Sequence, residues 1–455
     1  MVHNEKNIQM AKQIAGCVRD VGGSTYYVGG YVRDSVLGRD SKDIDIEIHG
    51  ISPETLETIL RTLGEPVVMG NSFGILGLRH YDLDISMPRK DEKDSRGGKD
   101  FYEVVDPFVG TKKAAQRRDL TMNALMQDVL TGEIIDHFDG ISDLKNGIIR
   151  HVDDAAFTED PLRVLRVAQF AARFRFTVAE ETIQLANAQI LSEIPRERIW
   201  GELGKALMKS EKPSIFFSVL RDMNQLDAWF PEIKSLIGIE QEKRYHPEGD
   251  VWNHTMLVLD LAAHFRSEAE SPLGFMLSAL CHDLGKTTAT QNEDGRIRAI
   301  GHDTEGVPLA EVFLGRLTNE VKLTKYILNM VELHMRPNLM AEQKSAIKAM
   351  CKLFDQSICP EDLLLLAKAD HCSRPIADSY AETERYLHDS LVVYHQRMAM
   401  PCVMGADLLQ AGFQPGKAFK DALDYAHKLQ LAGVRKADAL KHTIVFLRKR
   451  QGDIE

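Results

Sequence analysis

The sequence has no apolar run long enough to span a bilayer, and its first residues, Met-Val-His-Asn-Glu-Lys, are polar and contain no signal-peptide core. Its six cysteines are scattered without any Cys-x-x-Cys pair, which argues against a zinc ribbon and a disulfide framework. It also lacks an excess of positive charge, since 67 acidic side chains outnumber 56 basic ones. These absences predict a cytoplasmic protein that has no membrane partner.

The composition is that of an ordinary globular protein, with 44% hydrophobic and 27% charged residues among 455. A chain of this length is too long for a single core and predicts about two to four domains. The net charge of −11 disfavours a nucleic-acid partner at first sight, but local clustering matters more than the total. Basic side chains cluster in residues 112–118, 163–175 and 417–450. Each cluster is either an RNA contact or a solvated helix face.

The most informative part of the chain lies between residues 26 and 48. Tyr26–Val28 reads as a short strand, Gly29 and Gly30 as a tight turn, and residues 32–37 as the first turns of a helix. A glycine pair at such a junction lets backbone N–H groups approach a phosphate, and the helix N-terminus adds partial positive charge. The pattern therefore predicts a phosphate-binding turn.

The segment that follows alternates strictly between acidic and apolar residues. In a strand, this alternation places Asp43, Asp45 and Glu47 on one face and the isoleucines between them on the other. Two carboxylates two residues apart can hold one or two Mg²⁺ ions, as phosphoryl and nucleotidyl transfer requires. The alternative is a solvated edge strand; the glycine turn and Arg33 upstream favour the metal site.

Further candidates follow in the same mixed α+β region. A second acidic strand carries Asp84 and, on the same face, Asp82; because its register is open, either acid could belong to the site. Residues 88–111 are charged, contain a glycine pair and predict a mobile loop. The string Arg-Arg-Asp-Leu-Thr-Met-Asn-Ala-Leu at residues 117–125 is either a second binding motif or a basic helix start that Asp119 caps.

These motifs resemble those of the polymerase-beta-like nucleotidyltransferases, and among them the class II tRNA nucleotidyltransferases and the bacterial poly(A) polymerases. The resemblance implies an α+β head with a mixed sheet, in which Asp43 and Asp45 bind Mg²⁺ and Asp84 is the third catalytic acid. The arginines of the motifs would face a triphosphate, and the polar residues that follow them would lie near the ribose. The nucleotide-binding residues implied in the head are Gly29, Gly30, Arg33, Arg117, Arg118, Asp119 and Asn123.

After about residue 150, strand signals disappear and helical patterns dominate to the end. Asp160 and a proline open a helix on which Arg163 and Arg166 share one face, because they are three residues apart. This segment resembles the family's Glu-Asp-x-x-Arg motif, which implies that these three residues bind the incoming nucleotide. An Asp acceptor beside an Arg donor can select C or A by mimicking a base-pairing partner. Gln169 stands where many relatives carry a further arginine.

A second constellation combines histidines and aspartates between residues 246 and 371. Its members are His254, His282, Asp283, His302, His334 and Asp370. The adjacent His282 and Asp283 end an apolar helix, where a carboxylate is costly unless it is paired or bound to a metal. A lone histidine is usually an ordinary core or surface residue, but six residues of the right type in this order are hard to attribute to chance.

This order resembles the HD superfamily of metal-dependent phosphohydrolases. The ligands implied for a first metal are His254, His282, Asp283 and Asp370, and those implied for a second metal are His302 and His334. A transition metal such as Mn²⁺, Co²⁺ or Ni²⁺ is expected because imidazoles make up half of the first set. The implied activity is the hydrolysis of phosphate esters or 2′,3′-cyclic phosphates.

From end to end, the chain resembles bacterial tRNA nucleotidyltransferases with a fused HD domain. The expected regions are a head (1–150), a helical neck and RNA-binding region (151–240), an HD domain (241–375) and a helical C-terminal region (376–455). Residues 197–203 resemble a motif that braces the neck and are interpreted as structural. Residues 404–416 predict a helix, a Gly/Pro turn and a second helix, and the basic stripe after them favours a tRNA contact.

The resemblance implies that the protein builds or repairs the 3′ C-C-A end of tRNA from CTP and ATP without a template. An A-only or C-C-only enzyme, a poly(A) polymerase and a regulator with an inactive head are the alternatives. Residues 72–79 lack the Gly-Arg-Arg-Phe string of bacterial poly(A) polymerases, and the length of residues 88–111 disfavours a C-C-only enzyme. The intact Asp43 and Asp45 argue against an inactive head. The sequence leaves A-only addition and the oligomeric state open.

Overall fold

The computed structural model describes residues 2–41, 43–68, 75–93, 101–374 and 379–451. The chain divides into two compact units, the first formed by Met1–Leu203 and Ile215–Gln225 and the second by Gly204–Ser214 and Leu226–Glu455. Among the described helices, none is both long and apolar enough to cross a bilayer.

The first unit begins with a mixed sheet and the helices that cover it. Its elements up to residue 150 are α1 (Val2–Asp20), β1 (Ser24–Val28), α2 (Gly30–Val36), β2 (Asp45–His49), α3 (Pro53–Leu63), β3 (Pro66–Val68), β4 (Ile75–Leu78), β5 (Asp84–Ser86), β6 (Arg89–Lys93), β7 (Phe101–Val105), α4 (Thr111–Gln116), a 3-10 turn (Thr121–Asn123), β8 (Met126–Asp128), β9 (Ile134–Ile135), α5 (Gly140–Asn146) and β10 (Ile148–Ile149).

Seven of these strands form one sheet in the spatial order β3-β4-β5-β2-β1-β8-β9. All neighbouring pairs are antiparallel except β2 and β5, which run parallel. Because β2 lies between β1 and β5, it is an interior strand and not the solvated edge strand of the alternative interpretation. Ile46 and Ile48 are fully buried, whereas Asp43 precedes the strand and is exposed. The acidic end of β2 therefore opens at the rim of the sheet.

The prediction of a loop over residues 88–111 is wrong for the part that the structure describes. Strands β6 and β7 pair in antiparallel fashion, with Arg89 opposite Val105 and Lys93 opposite Phe101. The segment Phe-Tyr-Glu-Val-Val has the aromatic and β-branched side chains that favour strands, and its charged neighbours obscured this signal. The glycine pair at residues 97–98 lies outside the described residues.

From residue 151 onwards helices dominate, as predicted. The first unit continues with α6 (Asp154–Glu159), α7 (Leu162–Phe174), β11 (Thr177–Val178), α8 (Glu180–Asn187), α9 (Arg196–Lys209), whose last residues belong to the second unit, and α10 (Ser214–Asp222). Strand β11 pairs in parallel with β10. The predicted α+β head and the predominantly helical remainder are thus confirmed.

The second unit is almost entirely helical. Its elements are α11 (Pro231–Lys234), α12 (Val251–Phe265), α13 (Pro272–Cys281), α14 (Lys286–Ala289), β12 (Gln291–Glu293), β13 (Arg296–Arg298), α15 (His302–Leu317), α16 (Val321–Leu333), α17 (Arg336–Glu342), α18 (Ile347–Gln356), α19 (Pro360–Cys372), α20 (Ala381–Met398), α21 (Gly405–Gln410), α22 (Lys417–Leu431) and α23 (Lys436–Gln451). The predicted helix, turn and helix around residues 404–416 correspond to α21 and α22.

The interior of the second unit is built around α12, α13, α16 and α19, which pack on one another. Helix α13 is apolar on all sides, and all its residues from Gly274 to Cys281 are buried. Such a helix belongs in a core rather than on a surface. Polar residues just beyond its last turn are consequently drawn into the interior, where they meet the ends of the neighbouring helices.

Candidate functional site

The candidate site of the first unit, here called the head site, consists of Gly29, Asp43, Asp45, Asp84 and Arg118. Asp45 begins β2 and lies directly opposite Asp84 in the parallel pairing with β5. Gly29 lies between β1 and α2 with φ 64°, and a Cβ atom at this position would lie 3.6 Å from the Oδ2 atom of Asp45. The glycine turn and the acidic strand therefore meet at one edge of the sheet, where Gly29 satisfies both the left-handed backbone and the close approach.

Electrostatic repulsion among these carboxylates indicates a cation site. Burial and the neighbouring Asp84 raise the pKa of Asp45, and burial, Asp82 and Asp43 raise the pKa of Asp84. A divalent cation would relieve this repulsion, so the donor set fits Mg²⁺. Of the two candidate acids on the second strand, Asp84 is paired with Asp45, while Asp82 precedes β5 and is exposed.

The spacing of the head-site acids is wider than that of a closed metal cage. Asp43, Asp45 and Asp84 are not among the groups of described residues whose ligand atoms all lie within 4.8 Å of one another. Among the described residues, the three carboxylates therefore do not form a closed ligand set by themselves. An open site of this kind suits metal ions that also bind a substrate.

Arg118 reaches the head site with the help of a residue to which the sequence assigned no role. Its Nη2 atom donates to the Oε2 atom of Glu47 over 3.0 Å, and Glu47 is buried. Burial would raise the pKa of Glu47, but His49, at 2.8 Å from Oε1, and Arg118 together lower it. The Nη1 atom of Arg118 lies 3.9 Å from the Cβ position of Gly29. Glu47 therefore holds a cationic group beside the glycine turn.

Arg33 is tied into the interior beside the glycine turn, with its Nη2 atom 3.4 Å from the Cβ position of Gly30. Its side chain is buried, and it donates to the Oδ1 atoms of Asp34 and Asn123, each over 2.8 Å. Its guanidinium also lies 5.3 Å from the ring centre of Phe170 and 4.9 Å from that of Phe174. Arg33 thus braces the glycine turn and α7 from inside and contacts Asn123, and its contact with a triphosphate stays a prediction.

The second head motif forms a buried polar network between the head and α7. Asp119 accepts a hydrogen bond from the Nδ2 atom of Asn123 over 3.0 Å and another from the Nε atom of Arg166 over 2.7 Å. Burial would raise the pKa of Asp119, but Arg166 and Asn123 outweigh it and hold the pKa below its usual value. Asp119 follows α4 and does not cap a helix, which excludes the alternative interpretation of this string.

The Glu-Asp-x-x-Arg segment is anchored by two sets of contacts. Arg163 donates to the carbonyl of Ala156 over 2.6 Å and to that of Arg117 over 2.7 Å. Asp160 receives two hydrogen bonds from Arg198, of 3.1 and 2.7 Å, in a bidentate pair. Arg198 lies in the segment interpreted only as structural, and its contact with Asp160 makes it part of the candidate site.

Gln169, which replaces an arginine of many relatives, is buried on α7. Its Nε2 atom has no hydrogen-bond partner among the described residues. Because the glutamine side chain is uncharged, the cluster of phenylalanines and arginines around α7 contains one cation fewer than the family pattern implies. Sequence comparison identified the departure, but only the structure places it in the interior.

The histidine cluster, defined as His254, His282, Asp283, His302, His334 and Asp370, comes together in the second unit. All six side chains are buried. The Oδ2 atom of Asp283 lies 3.3 Å from the Nε2 atom of His282 and 3.6 Å from that of His254, and its Oδ1 atom lies 3.3 Å from the Nε2 atom of His302. The ligand atoms form two groups, one of His254, His282 and Asp370 and the other of Asp283, His302 and His334. Asp283 belongs to the second group and also contacts two histidines of the first, so it links the two groups.

The Nε2 atoms of this cluster are directed inward, which fits metal binding. His282, His302 and His334 each use Nδ1 to donate to a main-chain carbonyl three residues earlier, over 2.7 to 2.8 Å. Their Nε2 atoms are buried and have no hydrogen-bond partner in the described part of the chain. Burial and the neighbouring histidines lower the pKa of His334 to about 4, so it stays in its neutral, ligating form. Imidazole and carboxylate donors together suit a divalent transition metal.

Four further residues surround the cluster, and sequence patterns did not single them out. Glu248 contacts His254 and His246, Lys286 lies 2.7 Å from Asp283, and Arg374 lies 3.5 Å from Asp370. Lys286, Arg374, His246 and His302 line a cavity of about 490 Å³. Positive side chains around a cavity next to a metal-binding cluster favour an anionic substrate such as a phosphate ester. The signal that could have identified Lys286 is its place three residues after Asp283.

Three family profiles match separate parts of the chain. The Poly A polymerase head domain matches residues 25–150, the probable RNA and SrmB-binding site of polymerase A matches residues 175–237, and the HD domain matches residues 251–374. The head site lies in the first of these segments, and the histidine cluster lies in the third.

Whole proteins also resemble the chain over most of its length. The multifunctional CCA protein of Actinobacillus pleuropneumoniae is 34% identical over 88% of this chain and 96% of its own length. The CCA-adding enzyme of Bacillus stearothermophilus in complex with CTP has a TM-score of 0.67 at 21% identity and covers 98% of this chain and 99% of its own. That of Thermotoga maritima complexed with tRNA has a TM-score of 0.64 at 20% identity over 96% and 95% of the two chains. The two structures share the fold, and the sequence identity shows that this chain belongs to the family of the multifunctional CCA proteins, class II nucleotidyltransferases with an HD domain.

Proposed function

We propose that this protein adds or repairs the 3′-terminal C-C-A of tRNA from CTP and ATP, with release of pyrophosphate. The observation that carries the proposal is the position of Asp45, which lies opposite Asp84 and beside the Gly29 turn. The solved relatives that bind CTP and tRNA support the choice of partners, and the predicted cytoplasmic location agrees with it. In this proposal the head spans residues 1–150 and the helical neck residues 151–240.

In the head site, the main-chain N–H groups that follow Gly29 and the guanidinium of Arg118 bind the triphosphate. Asp43, Asp45 and Asp84 would hold Mg²⁺, which when bound lowers the pKa of the attacking hydroxyl and neutralises the departing pyrophosphate. Arg117 and Arg118 precede the buried Asp119, whose network fixes their place relative to α7. The protein thus orients the reactants and supplies positive charge where the leaving group develops negative charge.

Selection of the base rests on α7 and the residues before it. Asp160 offers carboxylate oxygens to a base edge, and Arg198 orients that carboxylate through its bidentate contact. Arg163 and Arg166 supply donors on the same side of α7, with Arg166 tied to Asp119. Hydrogen bonds from fixed side chains can discriminate bases in the way a template strand does.

We propose for the histidine cluster the hydrolysis of small phosphate esters or 2′,3′-cyclic phosphates, within an HD domain of residues 241–375. Its six ligands would hold Mn²⁺, Co²⁺ or Ni²⁺, which when bound activate water and polarise a phosphoryl oxygen. Lys286 and Arg374 attract and orient the anionic ester at the mouth of the cavity. Helix α21 and the two helices after it, α22 and α23, which carry the basic stripe of residues 417–450, would contact the tRNA.

The head proposal can be tested with tRNAs that end before, within and after the C-C sequence. We expect the wild-type protein to complete each of them when CTP and ATP are supplied together, and to stop at C-C when ATP is omitted. Addition of A alone, of C-C alone or of a long A tail would each overturn full C-C-A addition. Asp45→Ala should add nothing, whereas Asp40→Ala, a change at an exposed acid nearby, should behave as wild type.

A further inference from the structure

We infer that Glu248 is a positioning residue for the metal site of the histidine cluster, acting by holding His254 with its Nε2 atom directed at the cluster. This inference rests on the proposed metal-binding function of the cluster. Glu248 lies before α12 begins, and its side chain is only 3% exposed. Its Oε1 atom lies 2.8 Å from the Nδ1 atom of His254 and 2.9 Å from that of His246.

The position of His254 in its helix explains why a side chain is needed here. His282, His302 and His334 lie at helix ends, where a carbonyl three residues earlier accepts from Nδ1. His254 lies inside the first turn of α12, and its Nδ1 atom is met by Glu248, six residues earlier. Carbonyls inside a helix are already used by the backbone, so an imidazole on the flank of the helix requires another acceptor.

The chemistry of the pair fixes the orientation of the ring. The Oε1 atom of Glu248 faces the Nδ1 atoms of both His254 and His246, and its Oε2 atom is buried without a hydrogen-bond partner among the described residues. An ionised carboxylate only accepts hydrogen bonds, so Nδ1 of His254 must carry the proton. Its Nε2 atom then faces the Oδ1 atom of Asp370 over 3.1 Å and the Oδ2 atom of Asp283 over 3.6 Å. Three electron pairs that converge in this way are matched by a cation.

A carboxylate differs from the carbonyls behind the other three histidines because it carries a full charge. It raises the basicity of the imidazole that it holds, and loss of such a partner typically weakens metal binding about 10- to 100-fold. His246 shares the same oxygen and lines the cavity, so it packs Glu248 against His254 from the solvent side. The inference therefore concerns affinity for the metal and the geometry at His254, and not a contact with substrate.

The test measures metal binding by the full chain directly. Titration calorimetry with Co²⁺ and the visible absorption spectrum of the Co²⁺-loaded protein are recorded for wild type, Glu248→Gln and Glu248→Asp. We expect both variants to bind Co²⁺ about 10- to 100-fold more weakly and to show an altered spectrum. Glu311→Gln, which removes the same charge from an exposed position on α15, should match wild type. Thermal unfolding of the metal-free full chain serves as the check that each variant is folded.

Two outcomes overturn the inference, and they are distinguishable by His254→Ala. If His254→Ala loses Co²⁺ affinity while both Glu248 variants keep wild-type affinity and spectrum, Glu248 does not position the ligand, and the proposed metal site stands. If His254→Ala itself binds Co²⁺ as wild type does, the proposed metal site fails and the inference fails with it. Glu248→Asp retains the charge but shortens the side chain. If Glu248→Gln is unstable, Glu248→Asp therefore still tests the loss of the contact with His254 without loss of the charge.

Discussion

Arg118 and Glu47 form an ion pair of 3.0 Å in which the arginine is partly exposed and the glutamate is buried. Glu47 is the next acidic residue of β2 after Asp45, so the pair links β2 to residues 117–125, which follow α4. It also holds Arg118 beside Gly29. Exposed ion pairs contribute little to the free energy of unfolding. A buried carboxylate that accepts a hydrogen bond from an arginine, however, fixes the arginine side chain in one orientation. The position of positive charge at the glycine turn thus depends on β2 itself.

Replacement of Glu47 by glutamine should therefore weaken nucleotide binding. A hydrogen bond to a charged group contributes about 1.5–3 kcal/mol, so we expect the KM for CTP and ATP to rise about tenfold or more. Steady-state kinetics with a tRNA that lacks its last nucleotides measures this effect. Glu65→Gln, which disrupts the exposed pair of Glu65 and Arg79, is the matched control and should leave KM unchanged. An unaltered KM in Glu47→Gln would show that Arg118 does not depend on Glu47.

Arg33 should behave as a stabilising core residue. Arg33→Met removes the buried partner of Asp34 and Asn123, and loss of one member of a buried pair typically costs about 3–5 kcal/mol in the free energy of unfolding. Denaturation in urea measures it. For comparison, Arg39→Met, which removes an exposed guanidinium 5.1 Å from the Phe174 ring centre, should cost about 0.5–1 kcal/mol. A variant of Arg33 that is fully stable but has lost affinity for triphosphate would support the original expectation of a direct contact.

Arg198 and Asp160 should act together in the choice of nucleotide. Asp160→Ala and Arg163→Ala should allow UTP and GTP to enter more often relative to CTP and ATP, by about 1–3 kcal/mol of discrimination. Arg198→Ala should reproduce the effect of Asp160→Ala, and the double variant should add little, because the two side chains form one unit. Competition assays with mixed nucleotides measure the ratio. Arg196→Ala, at a surface pair with Glu197, provides the control.

The opposite pattern would redefine these residues. If the ratio of incorporated nucleotides stays as in wild type while overall binding weakens, Asp160 and Arg163 hold phosphate or ribose and do not recognise the base. If Arg198→Ala is silent, the bidentate contact is not needed once the nucleotide is bound.

The two activities should be separable at Asp283. Asp283→Ala removes the carboxylate that stands between both groups of histidines, so hydrolysis of phosphate esters and 2′,3′-cyclic phosphates should fall to background with every divalent metal. Incorporation of CTP and ATP should persist. Asp294→Ala, at the exposed turn between β12 and β13, is the control and should retain both activities. Hydrolysis that survives Asp283→Ala, or that is absent from wild type with Mn²⁺, Co²⁺ and Ni²⁺, would reject a catalytic role for the histidine cluster.

Features that depend on neighbouring residues could be predicted from the sequence. The strand, glycine turn and helix around Gly29 follow from local conformational preferences, and the apolar segment before His282 marks the end of α13. Polar residues at the ends of such elements can be assigned to a site from the sequence, because the element that precedes them fixes their position.

Contacts between distant residues could not be predicted in this way. Arg33 and Asn123 are 90 residues apart, and Asp160 and Arg198 are 38 residues apart. Their pairing depends on how α2, α7 and α9 pack, which no local pattern encodes. The choice between Asp82 and Asp84 likewise required the register of β5 against β2.

The packing of Arg33 against the rings of Phe170 and Phe174 bears on how this enzyme could be divided. Both rings belong to α7, which lies beyond the predicted end of the head at residue 150, and Arg166 of the same helix closes the network of Asp119. A fragment that stopped at residue 150 would therefore lose the side chains of α7 that pack against Arg33 and bind Asp119. A chimera that joins this nucleotidyltransferase head to a different RNA-binding domain should therefore include α7. This helix follows the head in the sequence but packs in the same compact unit.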